Sequence, residues 1–356
     1  DFKDLDLCPS RLVGDDVIGN AYEYMIGNFA SDAGKKGGEF FTPAEVSELL
    51  ARLVKPEEND RIYDPTCGSG SLLIKAFNKV PNGKAQIYGQ ERNGQTHSLC
   101  RMNMFLHKID DARIEWGDTL SNPKHLENDK LMKFQVVVAN PPFSLDKWAS
   151  GFAGEGESKE FDMTEASDPY KRFSWGVPPK SKGDYAFVLH MLHSLSEGGR
   201  MGVVLPHGVL FRGGSEGKIR QQIIAMNLLD AVIGLPSNLF FGTGIPACIL
   251  VFKQNRDRKD ILFIDASGDG NYEKGKNQNK LRDVDIKRII DAYEKYESED
   301  KYAYVASIDE VKENEYNLNI PRYVDTFEEE DMVDMEEVAE NIANIKSELV
   351  DVEAQM

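Results

Sequence analysis

Short apolar runs rich in β-branched residues alternate with stretches of helical periodicity along most of this chain. The runs predict strands over residues 61–64, 86–90, 112–116, 135–139, 201–205, 229–234 and 247–253, with helices between most of the earlier ones. Val136-Val137-Val138-Ala139 is apolar at every position, which is the pattern of a strand buried on both faces. The alternation predicts an α/β fold, a doubly wound and mostly parallel seven-stranded sheet. The short link containing Gly242-Thr243-Gly244 predicts that the last two strands close it as an antiparallel hairpin. A helix is expected over 15–30, entering the core through Val17, Ile18, Tyr22, Met25, Ile26 and Phe29. Thr42-Pro43-Ala44-Glu45 has the form of a capping box with proline at the first helical position, opening a helix that carries Val46, Leu49, Leu50 and Leu53. Between Phe143 and Gly183 lies a long segment of Gly, Ser, Pro and aromatics (Trp148, Phe152, Phe161, Tyr170, Phe173, Trp175). It reads either as a functional loop or as an unstructured insertion, and is expected to be the least ordered internal region. Near the end, Met335, Val338, Ile342, Ile345, Leu349, Val352 and Met356 recur at alternating spacings of 3 and 4, an a/d seam. An isolated helix so acidic is marginal in water, so the seam needs a partner.

The candidate chemistry gathers where strands end. Asn140-Pro141-Pro142-Phe143 follows a buried strand, and its two prolines stop strand and helix alike. The turn lies at the carboxyl edge, where open α/β sheets bind ligands. It fixes an amide side chain and a carbonyl beside an aromatic face, a set able to accept both hydrogens of a planar amino group. An ordinary Asn-Pro turn has the same sequence. Upstream, Asp64-Pro65-Thr66-Cys67-Gly68-Ser69-Gly70 joins a strand to a helix N-terminus, where backbone N–H groups can meet a carboxylate or phosphate. Leu73 stands where the dinucleotide fingerprint has its third glycine, and Gly-Lys-Ser/Thr is missing, so classical NAD and P-loop sites are both disfavoured. Glu91 ends the next strand, where a carboxylate suits two ribose hydroxyls, and Asp118 follows a third strand, where it could accept from an adenine amino group. Each acid alone reads as a solvated strand-end residue, and their order along alternating strands and helices makes the set specific.

Taken together, Gly38-Glu39-Phe40-Phe41-Thr42-Pro43, the Asp64–Gly70 turn and Asn140–Phe143 resemble the ordered motifs of the DNA adenine-N6 methyltransferases, and more narrowly the methylation subunit of type I restriction–modification systems. Gly183-Asp184-Tyr185-Ala186-Phe187, Leu205–Gly214, Asn238–Pro246 and Tyr316–Tyr323 are similar to the same subunit, so the likeness runs from about residue 15 to 325. The resemblance implies S-adenosylmethionine (AdoMet) as methyl donor. Its methionine end is expected at Phe40, Phe41, Thr42, Pro43, Asp64, Thr66 and Gly68-Ser69-Gly70, its ribose at Glu91, and its adenine at Asp118, Thr119 and Leu120, with the methyl pointing toward Asn140. The catalytic set it implies is Asn140, Pro141, Pro142 and Phe143, acting on a flipped-out adenine of double-stranded DNA, with no metal and no covalent intermediate. The 143–183 segment would then close over the flipped base or the strand left behind. Partners implied are a separate DNA-specificity subunit, on a ratio of two methylation subunits to one, and a restriction subunit. A cytoplasmic location in a bacterium or archaeon follows. Three regions are expected: 1–37 as a helical lead-in left from a missing helical domain, 38–326 as the catalytic domain, and 327–356 as an acidic helix for subunit docking. Two other enzyme readings stay open, a stand-alone DNA adenine methyltransferase and a protein glutamine N5-methyltransferase.

Charge alters this picture in one respect. The formal net charge is −18, whereas gripping DNA phosphates calls for a basic surface. Residues 327–356 hold eleven acids and one lysine, leaving −8 for the rest. Either a basic partner supplies most of the DNA contact or a local patch does, with Lys171, Arg172, Lys180, Lys182, Arg212, Lys218 and Arg220 as its candidates. The four cysteines (8, 67, 100, 248) have no paired metal or redox spacing, and His190 and His193 read as helix-face residues.

Overall fold

Apolar runs that must be covered on both faces set the architecture of the chain, a computed structural model that describes residues 17–33, 41–153, 161–276 and 278–326 together with Ile345. The strands are β1 (Arg61–Asp64), β2 (Gln86–Glu91), β3 (Arg113–Trp116), the two-residue β4 (Leu126–Glu127) and β5 (Lys130–Leu131), β6 (Phe134–Ala139), β7 (Leu195–Pro206), β8 (Leu229–Gly234), β9 (Ala247–Lys253), β10 (Ile261–Asp265) and β11 (Ala303–Ala306). The helices are α1 (Val17–Ala33), α2 (Ala44–Val54), α3 (Ser71–Phe77), α4 (Gly94–Leu106), α5 (Asp184–His193), α6 (Gly214–Ala225), α7 (Asp283–Lys295) and α8 (Ile308–Glu313).

Nine strands form one sheet in the order β11-β10-β8-β9-β7-β6-β1-β2-β3. β1 pairs in parallel with β2 and β6, β2 with β3, β6 with β7, and β8 with β10. β9 runs antiparallel between β7 and β8, the closing hairpin that the glycine-rich link predicts. All seven expected strands are present; β10 and the antiparallel edge strand β11 extend the sheet beyond them. Alternate residues of β6 serve opposite cores: Val137 and Ala139 pack with α5 and α6, Val136 and Val138 with α2 and α3. Chain order reverses between β1 and β6, so Asp64 and Asn140 flank the topological switch point.

Two expectations change. The 143–183 segment is not an unstructured insertion over its described part, which leaves out 154–160. Trp148 and Phe173 are buried in the main core, with Phe152, Phe161 and Trp175 packed against it, and Trp148 Nε1 donates to the Pro179 carbonyl at 2.9 Å. These aromatics build the interior. Helix α1 buries less than its periodicity suggests: Ile26 and Ala30 are inside while Ile18, Met25 and Phe29 are exposed. It comes close to the turn before α2 at Gly27, where a Cβ would lie 3.3 Å from the Phe41 ring. The heptad seam, apart from Ile345, and Phe40 lie outside the described residues. Among the described residues no helix is long and apolar enough to cross a membrane.

Because Phe173 belongs to the core, Phe173→Ala should destabilise the chain by about 3–5 kcal/mol in urea unfolding. A loss below about 1 kcal/mol would mean that the insertion lies on the core without sustaining it.

Candidate functional site

Asn140 leaves β6 at the switch point, and Pro141 and Pro142 prevent the backbone from continuing as strand or helix. Its Nδ2 donates to Thr42 Oγ1 at 3.1 Å, which fixes the amide and turns Oδ1 the other way. Oδ1 is buried and has no hydrogen-bond partner among the described residues. An unpaired buried acceptor costs on the order of 1–3 kcal/mol, so this oxygen is the mark of a site awaiting a donor.

The hydroxyl that holds Asn140 is not the helix cap expected of it. Pro43, extended at φ −51° and ψ 137°, takes the N-cap position of α2, and its carbonyl accepts from Val46 and Ser47 at 3.0 Å each. The helix therefore starts one residue later than the capping box implies, and Thr42 is released to face Asn140. Two aromatics that the sequence reading gave no role line the same region. Phe240 meets Phe143 edge-on with centroids 5.6 Å apart, and Phe241 meets Phe41 at 5.9 Å. Both come from the β8–β9 link; the aromatic pair just ahead of Gly242 was the signal available for them.

The neighbouring strand ends converge on this turn. Gly68 and Gly70 adopt positive φ (54° and 83°), and a Cβ on Gly70 would sit 2.6 Å from Met104 Cε and 2.8 Å from Cys100 Sγ. Only glycine suits Gly70 both in conformation and in space. The Gly68 N–H donates to Glu91 Oε2 at 3.0 Å, and the Asn93 N–H donates to Glu91 Oε1 at 2.7 Å, so β2 is tied to the glycine turn. Thr119 Oγ1 donates to the Pro65 carbonyl at 2.6 Å, tying in the turn after β3, where Asp118 Oδ1 accepts from the Leu120 N–H at 3.0 Å. Ser69 and Ser71 share a hydroxyl hydrogen bond at 3.0 Å. A pocket bounded by Phe41, Thr42, Asp64, Thr66, Gly68 and Asn140 lies between these ends. Pro43 and Phe41 also line an adjoining cavity of about 510 Å³, together with Glu23, Lys75 and Phe241. Glu91 and Asp118 line neither space; they stand at the adjoining strand ends. Phe40 lies outside the described residues.

Burial pushes the Asp64 carboxyl up to about 8, and the nearby Glu91 adds to the shift, against the hydrogen bond from the Thr66 N–H at 2.8 Å. Burial likewise raises Glu91. A cation bound beside Asp64 would act against this shift.

The proposed basic patch loses its arginines and keeps its lysines, with Lys171, Lys180 and Lys218 exposed. Arg172 and Arg220 are buried, Arg212 is paired with Asp184 and Glu216, and Lys180 is paired with Asp162. Sequence position cannot tell a solvated cation from one turned inward, and here three of the arginines satisfy internal carboxylates and carbonyls.

The N-6 DNA Methylase family model matches residues 13–332. The Type I restriction enzyme MpnII methylase subunit of Mycoplasma pneumoniae is 41% identical over 342 residues, 93% of this chain and 61% of that protein. The MjaVIII methylase subunit of Methanocaldococcus jannaschii is 36% identical, over 94% of this chain and 58% of its own length. This chain thus spans about three fifths of these relatives. Among solved structures, the type I restriction-modification system methyltransferase subunit from Streptococcus thermophilus superposes with a TM-score of 0.79 at 42% identity, covering 91% of this chain and 66% of that one.

Asp64 keeps its proton in the folded chain to about pH 8, while the unfolded carboxyl ionises near 3.8. Its contribution to stability is therefore complete below the unfolded value and is lost as the pH rises toward 8. Asp64→Asn should remove this decline, so that the parent loses thermal stability relative to the variant from about pH 5 to 8. Parallel melting of the two across that range would contradict the assignment.

Proposed function

We propose, from the premise that the chain belongs to the N-6 DNA methylase family, that it transfers a methyl group from AdoMet to N6 of adenine in DNA. In this reading it is the methylation subunit of a type I complex whose target sequence is read by a separate DNA-specificity subunit. The observation that carries the proposal is the buried, unpaired Oδ1 of Asn140, held by Thr42 beside Phe143 at the switch point.

The residues present fit AdoMet. Gly68 and Ser69 line the pocket, which also holds a carboxyl whose raised pKa a cation would bring down. Phe41, Thr42, Asp64 and Gly68-Ser69-Gly70 would hold the methionine end, Glu91 the ribose, and Asp118-Thr119-Leu120 the adenine. When bound, AdoMet supplies an electrophilic sulfonium methyl.

The target amino group is inaccessible within stacked DNA, so the adenine must be flipped out at a cost of a few kcal/mol. Asn140 Oδ1 then accepts one N6 hydrogen and the Pro141 carbonyl accepts the other. With both hydrogens held, the N6 lone pair is drawn out of ring conjugation and can form the new N–C bond as the S–C bond breaks. One N6 proton leaves to water. Phe143 stacks on the base, backed by Phe240. Catalysis rests on preorganised acceptors and positioning. The acidic chain and the scarcity of free arginines among the described patch candidates support a partner that supplies most of the phosphate contact.

Asn140→Ala should lower incorporation of labelled methyl into DNA by roughly 10²–10³-fold, assayed with the cognate DNA-specificity subunit. AdoMet affinity should stay within a few fold. Equal loss of transfer and of AdoMet binding would remove Asn140 from the role given to it.

A further inference from the structure

Arg172 comes from the insertion that follows the Asn140 turn, and its side chain is fully buried. A buried guanidinium must place all its N–H groups. Nε and Nη2 donate to the Asp168 carboxylate, Nη2 at 2.8 Å. Nη2 also donates to the Leu120 carbonyl at 2.6 Å and Nη1 to the Thr119 carbonyl at 3.3 Å. Nη1 further donates to His190 Nδ1 at 3.0 Å. With Nδ1 accepting, the His190 Nε2–H donates to the hydroxyl of Tyr63 at 3.0 Å, one residue before Asp64. The insertion is therefore bonded directly to the turn after β3 and, through His190 of α5, to the end of β1.

The bond to Leu120 is the informative one. The N–H of Leu120 donates to Asp118 Oδ1, while its carbonyl is held by Arg172. One short turn thus has its carbonyls fixed by the insertion and its N–H orienting the carboxylate. Gly151 brings the insertion to the same acid from another direction: a Cβ there would lie 2.9 Å from Asp118 Oδ2 and 2.3 Å from Ser121 Oγ.

We propose that Arg172 is a positioning residue for the methyl-donor site, setting the Asp118–Leu120 turn so that Asp118 selects the amino group of the donor's adenine. The inference rests on the AdoMet reading above. It brings the insertion into donor recognition, since the fold around Asp168 and Arg172 determines how well the donor is held, with no contact between Arg172 and the donor itself.

The test compares binding of S-adenosylhomocysteine and S-inosylhomocysteine by calorimetry. Hypoxanthine carries an oxygen where adenine carries the amino group, so an oriented Asp118 rejects it. The parent should prefer the adenine compound, and Arg172→Lys, which cannot form the forked contact, should lose that preference by about tenfold or more. Affinity for the inosine compound should change little. In methyl transfer, KM for AdoMet should rise while kcat at saturating AdoMet stays within a few fold. The double variant Asp168→Asn/Arg172→Gln removes both buried charges together, which a core tolerates better than one unpaired charge, and should lose the same preference. An adenine preference unchanged in either folded variant overturns the role of Arg172 alone. A parent that binds neither compound overturns the AdoMet reading and this inference with it.

Discussion

A strand covered on both faces commits its backbone to its neighbours and its side chains to two cores, so only its end is free for chemistry. β6 shows the constraint in its strongest form. Val136 to Ala139 are fully buried, alternating between the two cores, and Asn140 is the first residue released from the sheet. Beside it β1 releases Asp64, and the reversal of strand order at this point opens space between them. Everything proposed for the site follows from what these ends present: a glycine turn, buried carboxyls, and the unpaired amide oxygen of Asn140.

That amide oxygen is kept in place from outside the strand. Thr42 accepts from Nδ2 because Pro43 takes the helix cap, so a local backbone preference decides which face of Asn140 is presented. The insertion makes a comparable adjustment at the turn after β3, where a buried guanidinium satisfies two carbonyls. Both arrangements satisfy buried polar groups within the protein.

Much of the scaffold was legible in the sequence because its strands are β-branched runs bounded by turn residues; the expected and observed limits of β1, β8 and β9 coincide. β10 and β11 were missed for a physical reason. Ile261-Leu262-Phe263-Ile264 is an apolar run too short for periodicity to distinguish strand from helix, and β11 is four residues on an edge. That Asp64, Glu91 and Asn140 stand at strand ends could be read from order and spacing alone. The walls could not: Phe240 and Phe241 approach Phe143 and Phe41 only through the β8–β9 closure, a tertiary contact. The arginines among the basic candidates failed similarly, since their sequence positions carry no record of Asp168 or Glu216 waiting inside the fold.

The central claim is that these strand ends methylate the amino group of adenine in DNA. Mass spectrometry of nucleosides from unmethylated DNA, incubated with AdoMet, this chain and its DNA-specificity subunit, addresses it most directly. N6-methyladenine is expected, and its absence when AdoMet is left out. DNA that stays unmodified while methyl groups appear on protein glutamine would contradict it.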